Sequence, residues 1–253
     1  MARKPLLTPD QLEGVYEKLK RADEDIFNLN LEISPFLKAD PDGGTAKAKR
    51  QTAQQWVNFH KERSIPPRFA VLAGEIVHHL RSCLEHIAWS LSSKTYRKTN
   101  ETAIAFPIFT EPPNKKTQPR YDGNIGGITS PAARKLIEEL QPYKGAHPVD
   151  DPLAIVHELD RIDKHHEVVL VIATFEAHVE TFAEFSARRA RSGLEADQDT
   201  FARESTQKES MQISRQVAFA EFGKRKDQSV IPSLTELANA IRDVIRMFAE
   251  LRI

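Results

Sequence analysis

The chain has 253 residues, of which 40% are hydrophobic and 28% charged, enough apolar material for a sizeable core beneath an ordinary water-facing surface. Lys plus Arg and Asp plus Glu balance at 36 each, which excludes a global positive field that would gather nucleic acid or an anionic membrane, so any RNA contact must be local. The single cysteine, Cys83, excludes an internal disulfide framework and a multi-cysteine zinc site, and it suits a reducing cytoplasm.

The basic start, MARKPLL, is not followed by an apolar run, so no signal peptide is expected. No stretch approaches the roughly 18 apolar residues of a membrane span, so no membrane partner is expected either. In TPDQ, Thr8 can cap, Pro9 suits a first helical turn and Gln11 completes a capping box. Leu12, Val15, Tyr16, Leu19, Ile26, Leu29 and Ile33 recur at helical spacing, which predicts a helix over 8–33. KADPDGGTAKAKRQ reads as a loop. A longer helix is predicted over 66–95, opened by Pro66 and Pro67, with Ala73, Val77, Leu80, Leu84, Ile87, Ala88 and Leu91 inward. FPIF at 106–109 is a short extended piece, and EPPNKKTQPR and YDGNIGGI form a connecting excursion.

Two shorter helices are predicted within 130–166 by a shared start signal, Ser130-Pro131 and Asp151-Pro152. Residues 167–176 fit a helix extension or a buried strand equally well. HVETFAEF and ISRQVAFAEF alternate as strands do, and the polar segment between them predicts a mobile loop over 186–210. Ser233 to Glu236 is a capping box for a last helix over 233–252, with Leu237, Ile241, Val244, Ile245, Phe248 and Leu251 inward. The expected architecture is therefore mainly α: one domain over 1–253, a helical bundle with a small antiparallel β insertion at 177–231, before the C-terminal helix.

The long helix raises the functional question. On a helical wheel Glu75, His79, Ser82, Cys83, His86 and Ser90 share a strip beside the apolar seam, and His78, Arg81, Glu85 and Trp89 form another. Solvated faces collect Lys and Glu, whereas a strip of imidazoles and small hydroxyls suits the wall of a cleft or a set of hydrogen-bonded buried histidines. A second cluster, HELDRIDKHHE, gathers His157, Asp160, Arg161, Asp163, Lys164, His165 and His166 near the end of a helix, where cations suit the dipole.

Arg81 and His86 fit R-x4-H, which resembles the R-x(4–6)-H motif of the HEPN superfamily, helical bundles that include metal-independent ribonucleases and non-catalytic nucleotide-binding members. The resemblance implies that His86 acts as general acid or base on an RNA 2′-hydroxyl, that Arg81 stabilises phosphorane charge, and that two protomers pair their motifs across a homodimer cleft. Arg161 and His166 repeat the spacing. GEIVHHLRSCLEHIAW, FPIF, LQPY and LDRIDKHH together resemble a group of uncharacterised bacterial proteins with a G-E-x-x-H-x-L-R-S-x-L-[DE]-H core and a later D-K-H. This second resemblance spans about 66–170 and implies that both clusters belong to one site.

Three functions follow as expectations. The first is an HEPN-like endoribonuclease using Arg81 and His86, with Glu75, His79, Ser82, Asp163, Lys164 and His165 lining its cleft and no cofactor. The second is a non-catalytic bundle that binds a nucleotide or a protein partner. The third is a divalent-metal site drawn from Glu75, His79, His86, His157 and Asp160, whose i, i+4 and i, i+3 spacings helical metal sites use; Arg161 and Lys164 oppose it with positive charge, so no metal is favoured.

Overall fold

The computed structural model describes residues 4–38, 65–165, 168, 170–175, 182–195, 197–200, 214–220 and 228–252. The first helix, α1 (Pro9–Lys38), opens on the predicted capping box: the Thr8 backbone N–H donates to Gln11 Oε1 at 2.9 Å and the Gln11 N–H to Thr8 Oγ1 at 3.4 Å. It runs past Ile33 and carries Pro35 within it. Leu12, Val15, Leu19, Ala22, Leu29 and Ile33 are buried, while Tyr16, expected inward, is 47% exposed. The KADPDGG loop lies outside the described residues after Lys38.

The long helix is α2 (Pro67–Leu91), which packs against α1 on one side and against the sixth and last helices on others. It stops four residues sooner than its periodicity suggests. Ser92 is extended, and Ser93 caps a separate short helix, α3 (Lys94–Thr99), by accepting from the Tyr96 N–H. The connecting excursion carries a helix of its own, α4 (Gln118–Ile125).

The two proline-opened helices form as predicted. In α5 (Pro131–Glu139) Ser130 Oγ accepts from the Ala133 N–H at 3.3 Å, and in α6 (Pro152–His165) Asp151 Oδ1 accepts from the Leu153 N–H at 2.8 Å. The ambiguous stretch resolves as a strand, β1 (Leu170–Phe175), paired antiparallel with β2 (Ser214–Phe219) from Leu170 opposite Phe219 to Phe175 opposite Ser214. The β pair thus starts before the predicted insertion boundary at 177. Between the strands, HVETFAEF was expected to be extended, but α7 (Phe182–Arg191) takes its second half and the first residues of the expected mobile loop. An alternating stretch that includes several helix-compatible residues, Ala183, Glu184 and Ala187, satisfies both periods over so short a length.

The last helix, α8 (Val230–Glu250), begins three residues before the predicted capping box. Ser233 is buried inside it, its N–H donating to Ser229 O at 3.1 Å, and Pro232 sits in the first turn, where its missing donor is harmless. Val230, Leu234, Leu237, Ile241, Val244, Ile245 and Phe248 join the buried faces of α1, α2 and α6 in one apolar cluster. The result is a helical bundle with a two-stranded antiparallel sheet preceding its C-terminal helix. No described helix is long and apolar enough to cross a membrane.

One glycine fixes how closely two of these helices approach. A Cβ built on Gly74 of α2 would overlap the Asp163 carboxyl of α6. Gly74→Ala is therefore expected to forfeit in urea unfolding the roughly 1 kcal/mol that alanine gains over glycine inside a helix, because the Asp163 carboxyl must turn aside. In an Asp163→Ala background the same change should show that gain, and equal effects of Gly74→Ala in the two backgrounds would refute the contact.

Candidate functional site

The FPIF segment is the least self-sufficient part of the core. Phe106, Pro107 and Ile108 are buried, yet the segment pairs with no strand among the described residues. Buried backbone groups require partners, and here side chains supply most of them. The Phe106 N–H donates to Glu85 Oε2 at 2.9 Å, and Arg81 Nη2 donates to Phe106 O at 2.9 Å. Arg81 and Glu85, one helical turn apart on α2, are themselves ion-paired. Gln141 does the same for the other half: its Nε2 donates to Pro107 O at 2.9 Å, and its Oε1 accepts from the Phe109 N–H at 3.2 Å. The Phe106 ring then meets Phe248 of α8 edge-to-face at 6.1 Å.

This commitment decides the role of Arg81. Its residue surface is 6% exposed, and burial pulls its pKa down against the opposing pull of Glu85. Glu85 is pushed up by the same desolvation, with Arg81 and the Phe106 N–H working the other way. His86 lies on a different side of the helix. It is exposed and sits against α1, where a Cβ on Gly14 would lie 3.5 Å from its Nδ1. Burial first, and the nearby Lys18 second, lower its pKa. Five residues on a helix span about 500°, or 140° beyond a full turn, so Arg81 and His86 of one chain do not share a face.

The expected polar strip divides along the same line. His79 faces α1, with Nε2 3.9 Å from Oδ2 of the buried Asp25, which Arg21 holds through Oδ1 at 3.0 Å. Its pKa is lowered chiefly by burial. Cys83 is also on this side, its Sγ 3.5 Å from Val15 O, and burial pushes its thiol up to about 12, which removes it as a nucleophile. Ser82 belongs to the other side, 3.5 Å from His78 Nε2. There His78 Nδ1 lies 3.0 Å from Asp160 Oδ1, and Lys164 Nζ reaches Asp160 Oδ2 at 2.6 Å.

The second cluster therefore closes on α2 through His78 and Gly74 rather than through His79 and His86. Asp163 is at this contact, its pKa raised by desolvation and then by Asp160. Glu75 and His165 are exposed, and His166, with the second R-x4-H, lies outside the described residues. The metal set fails to assemble: among the described residues no three His, Cys, Asp or Glu side chains are placed to share an ion. Glu75, His79, His86, His157 and Asp160 are distributed over separate contacts, with Lys164 already occupying Asp160.

One concavity lies apart from both sequence clusters' shared contact. A cavity of about 470 Å³ opens between the excursion and α6, walled by Phe109, Thr117, Arg120, Val149, His157 and Glu158. The Arg120 guanidinium lies 5.8 Å from the Phe109 ring centroid and has no carboxylate partner among the described residues. Among the described residues, His157 Nδ1 is buried without a hydrogen-bond partner, and so is Arg81 Nη1. Desolvation, then Arg81 and Arg120, lower the His157 pKa to about 4. Its imidazole is therefore neutral near pH 7 and can donate or accept. His157 was visible in the sequence as part of a titratable cluster, but Arg120 sits in a proline-rich stretch without periodicity and gave no signal.

The His157 shift has a testable sign. A histidine whose pKa falls from 6.5 to about 4 on folding binds fewer protons folded than unfolded, so its contribution to stability is lost as pH drops through that window. The melting temperature of the wild type should fall between pH 6.5 and 4 more steeply than that of His157→Gln. Parallel profiles for the two proteins would show that His157 is not desolvated as described.

No protein-family model matches the chain, and neither a curated protein nor a solved structure matches it.

Proposed function

We propose that this chain is a helical-bundle binding protein whose ligand is a nucleotide or a closely related phosphate-bearing molecule, held in the cavity between the excursion and α6. The observation that carries the proposal is the convergence of Arg120, Phe109 and His157 on one concave surface. An arginine without a carboxylate partner among the described residues supplies the fork that phosphate oxygens accept from. Phe109 offers a ring on which a base can stack. The neutral His157 imidazole, whose Nδ1 has no partner among the described residues, can hydrogen-bond either a phosphate hydroxyl or a base edge. The overall charge balance raises no barrier to a small anion, while it offers no broad basic surface for a long polynucleotide.

The endoribonuclease reading has less geometric support. It draws on the exposure of His86, which leaves that imidazole accessible to a second protomer. It also needs Arg81 to reach a phosphate, whereas Arg81 Nη2 is committed to Phe106 O and its surroundings are buried.

Titration calorimetry with adenosine and uridine monophosphates tests the proposal. Binding of at least one is expected, weakened by Arg120→Ala about tenfold to a hundredfold, the range of a charge-assisted hydrogen bond. No heat with either nucleotide, together with cleavage of a mixed RNA in EDTA that His86→Ala abolishes, would move the function to the ribonuclease.

A further inference from the structure

The hydrogen bonds on the α2–α6 face form a directed chain. Lys164 Nζ donates to Asp160 Oδ2 at 2.6 Å, and the same carboxylate's Oδ1 lies 3.0 Å from His78 Nδ1. A carboxylate oxygen accepts, so His78 Nδ1 is the donor in this contact, and in the neutral tautomer with that proton Nε2 carries the lone pair. That lone pair is 3.5 Å from Ser82 Oγ, one helical turn further along α2. The carboxylate is 5% exposed and the imidazole 51% exposed, so the orienting group is buried while the base and the hydroxyl meet solvent.

We propose that Ser82, His78 and Asp160 form a nucleophilic serine site that accepts an acyl group from activated carboxylic esters. The order of roles is that of nucleophile, base and orienting group. In the first step Ser82 Oγ attacks the ester carbonyl carbon while its proton passes to His78 Nε2. The carbon–oxygen bond to the leaving group then breaks, and the departing alkoxide takes that proton as an alcohol. Water hydrolyses the acyl-serine in the second step, its proton passing through His78 and back to Ser82 Oγ, and a carboxylic acid leaves. Ester and water become acid and alcohol, with no redox change.

Position limits the substrate class. Ser82 lies inside α2, where the backbone N–H groups are already used by the helix, so they cannot form an oxyanion hole. Without that stabilisation the chemistry depends on a good leaving group. Around this contact the carboxylates of Asp160, Asp163 and Glu75 outnumber the single ammonium of Lys164, which Asp160 already holds, and this disfavours anionic acyl groups. Asp160 is a positioning residue here, since it would not touch the ester. The site is separate from the nucleotide cavity: His157 lies one turn away on α6, and neither Ser82 nor His78 lines that cavity.

The test is acetylation of the full chain by p-nitrophenyl acetate, followed by mapping of the modified peptide. Acetyl-Ser82 is expected in the wild type. His78→Gln should slow its formation about a hundredfold, within the usual range for a general base. Asp160→Asn should lower the limiting acylation rate without changing its dependence on ester concentration, an outcome that loss of structure alone does not produce. Ser82→Ala should leave nucleotide binding unchanged, which separates this site from the cavity. Acetylation confined to lysines, or labelling of Ser82 at the same rate in His78→Gln, would overturn the proposal.

Discussion

The structure turns on a buried extended segment that has no strand beside it among the described residues. FPIF places three residues in the core, and its backbone must be satisfied there or cost the fold about 1–3 kcal/mol for each orphaned group. The solution is a set of side chains from one helix and from the turn that follows another. Arg81 and Glu85 of α2 take both backbone groups of Phe106, and Gln141, just beyond α5, takes Pro107 O and the Phe109 N–H. A guanidinium and a carboxylate one turn apart present a donor and an acceptor at the spacing a neighbouring strand would offer. Each charge also compensates the other, so neither is left alone in the core.

Much else depends on that clamp. With Phe106 fixed, its ring locks onto Phe248 and ties the excursion to the last helix. Phe109 and Arg120 are then held opposite α6, which creates the cavity on the far side of the same segment. The buried Arg81 also reaches past the clamp electrostatically, helping to keep His157 neutral. On the same side of α2, nearer its start, Gly74 lets Asp163 approach, and Asp160 on the same face of α6 meets His78. Two chemically distinct surfaces therefore meet at one helix without sharing side chains.

The fold was legible wherever one local signal was strong. The Thr8–Gln11 capping box and the Ser130-Pro131 and Asp151-Pro152 starts appear in the structure because caps act over three or four residues. Ser233 to Glu236 misled because the pattern recurs inside a helix whose true start, at Ser229, shows no side-chain capping bond. The β pair was recognisable in part, but its first strand and α7 fell where short alternating runs satisfy both periodicities.

The site was less legible. A helical wheel groups residues by angle alone and cannot say which neighbour each angle meets, so His79 and His86 were placed with Ser82 although they face α1. The R-x4-H spacing marked Arg81 without revealing that its guanidinium is used by a backbone 25 positions away. Arg81 and Glu85 of GEIVHHLRSCLEH and Gln141 of LQPY are, in the structure, the side chains that clamp the FPIF backbone.

Amide hydrogen exchange at Phe106 tests the clamp most directly. Its N–H should exchange only through global unfolding, as slowly as the core amides of α2, and Glu85→Ala should accelerate it selectively by about tenfold or more, the equivalent of one lost buried hydrogen bond. Exchange of the Phe106 amide at the rate of an exposed loop in the wild type, unchanged by Glu85→Ala, would contradict the account.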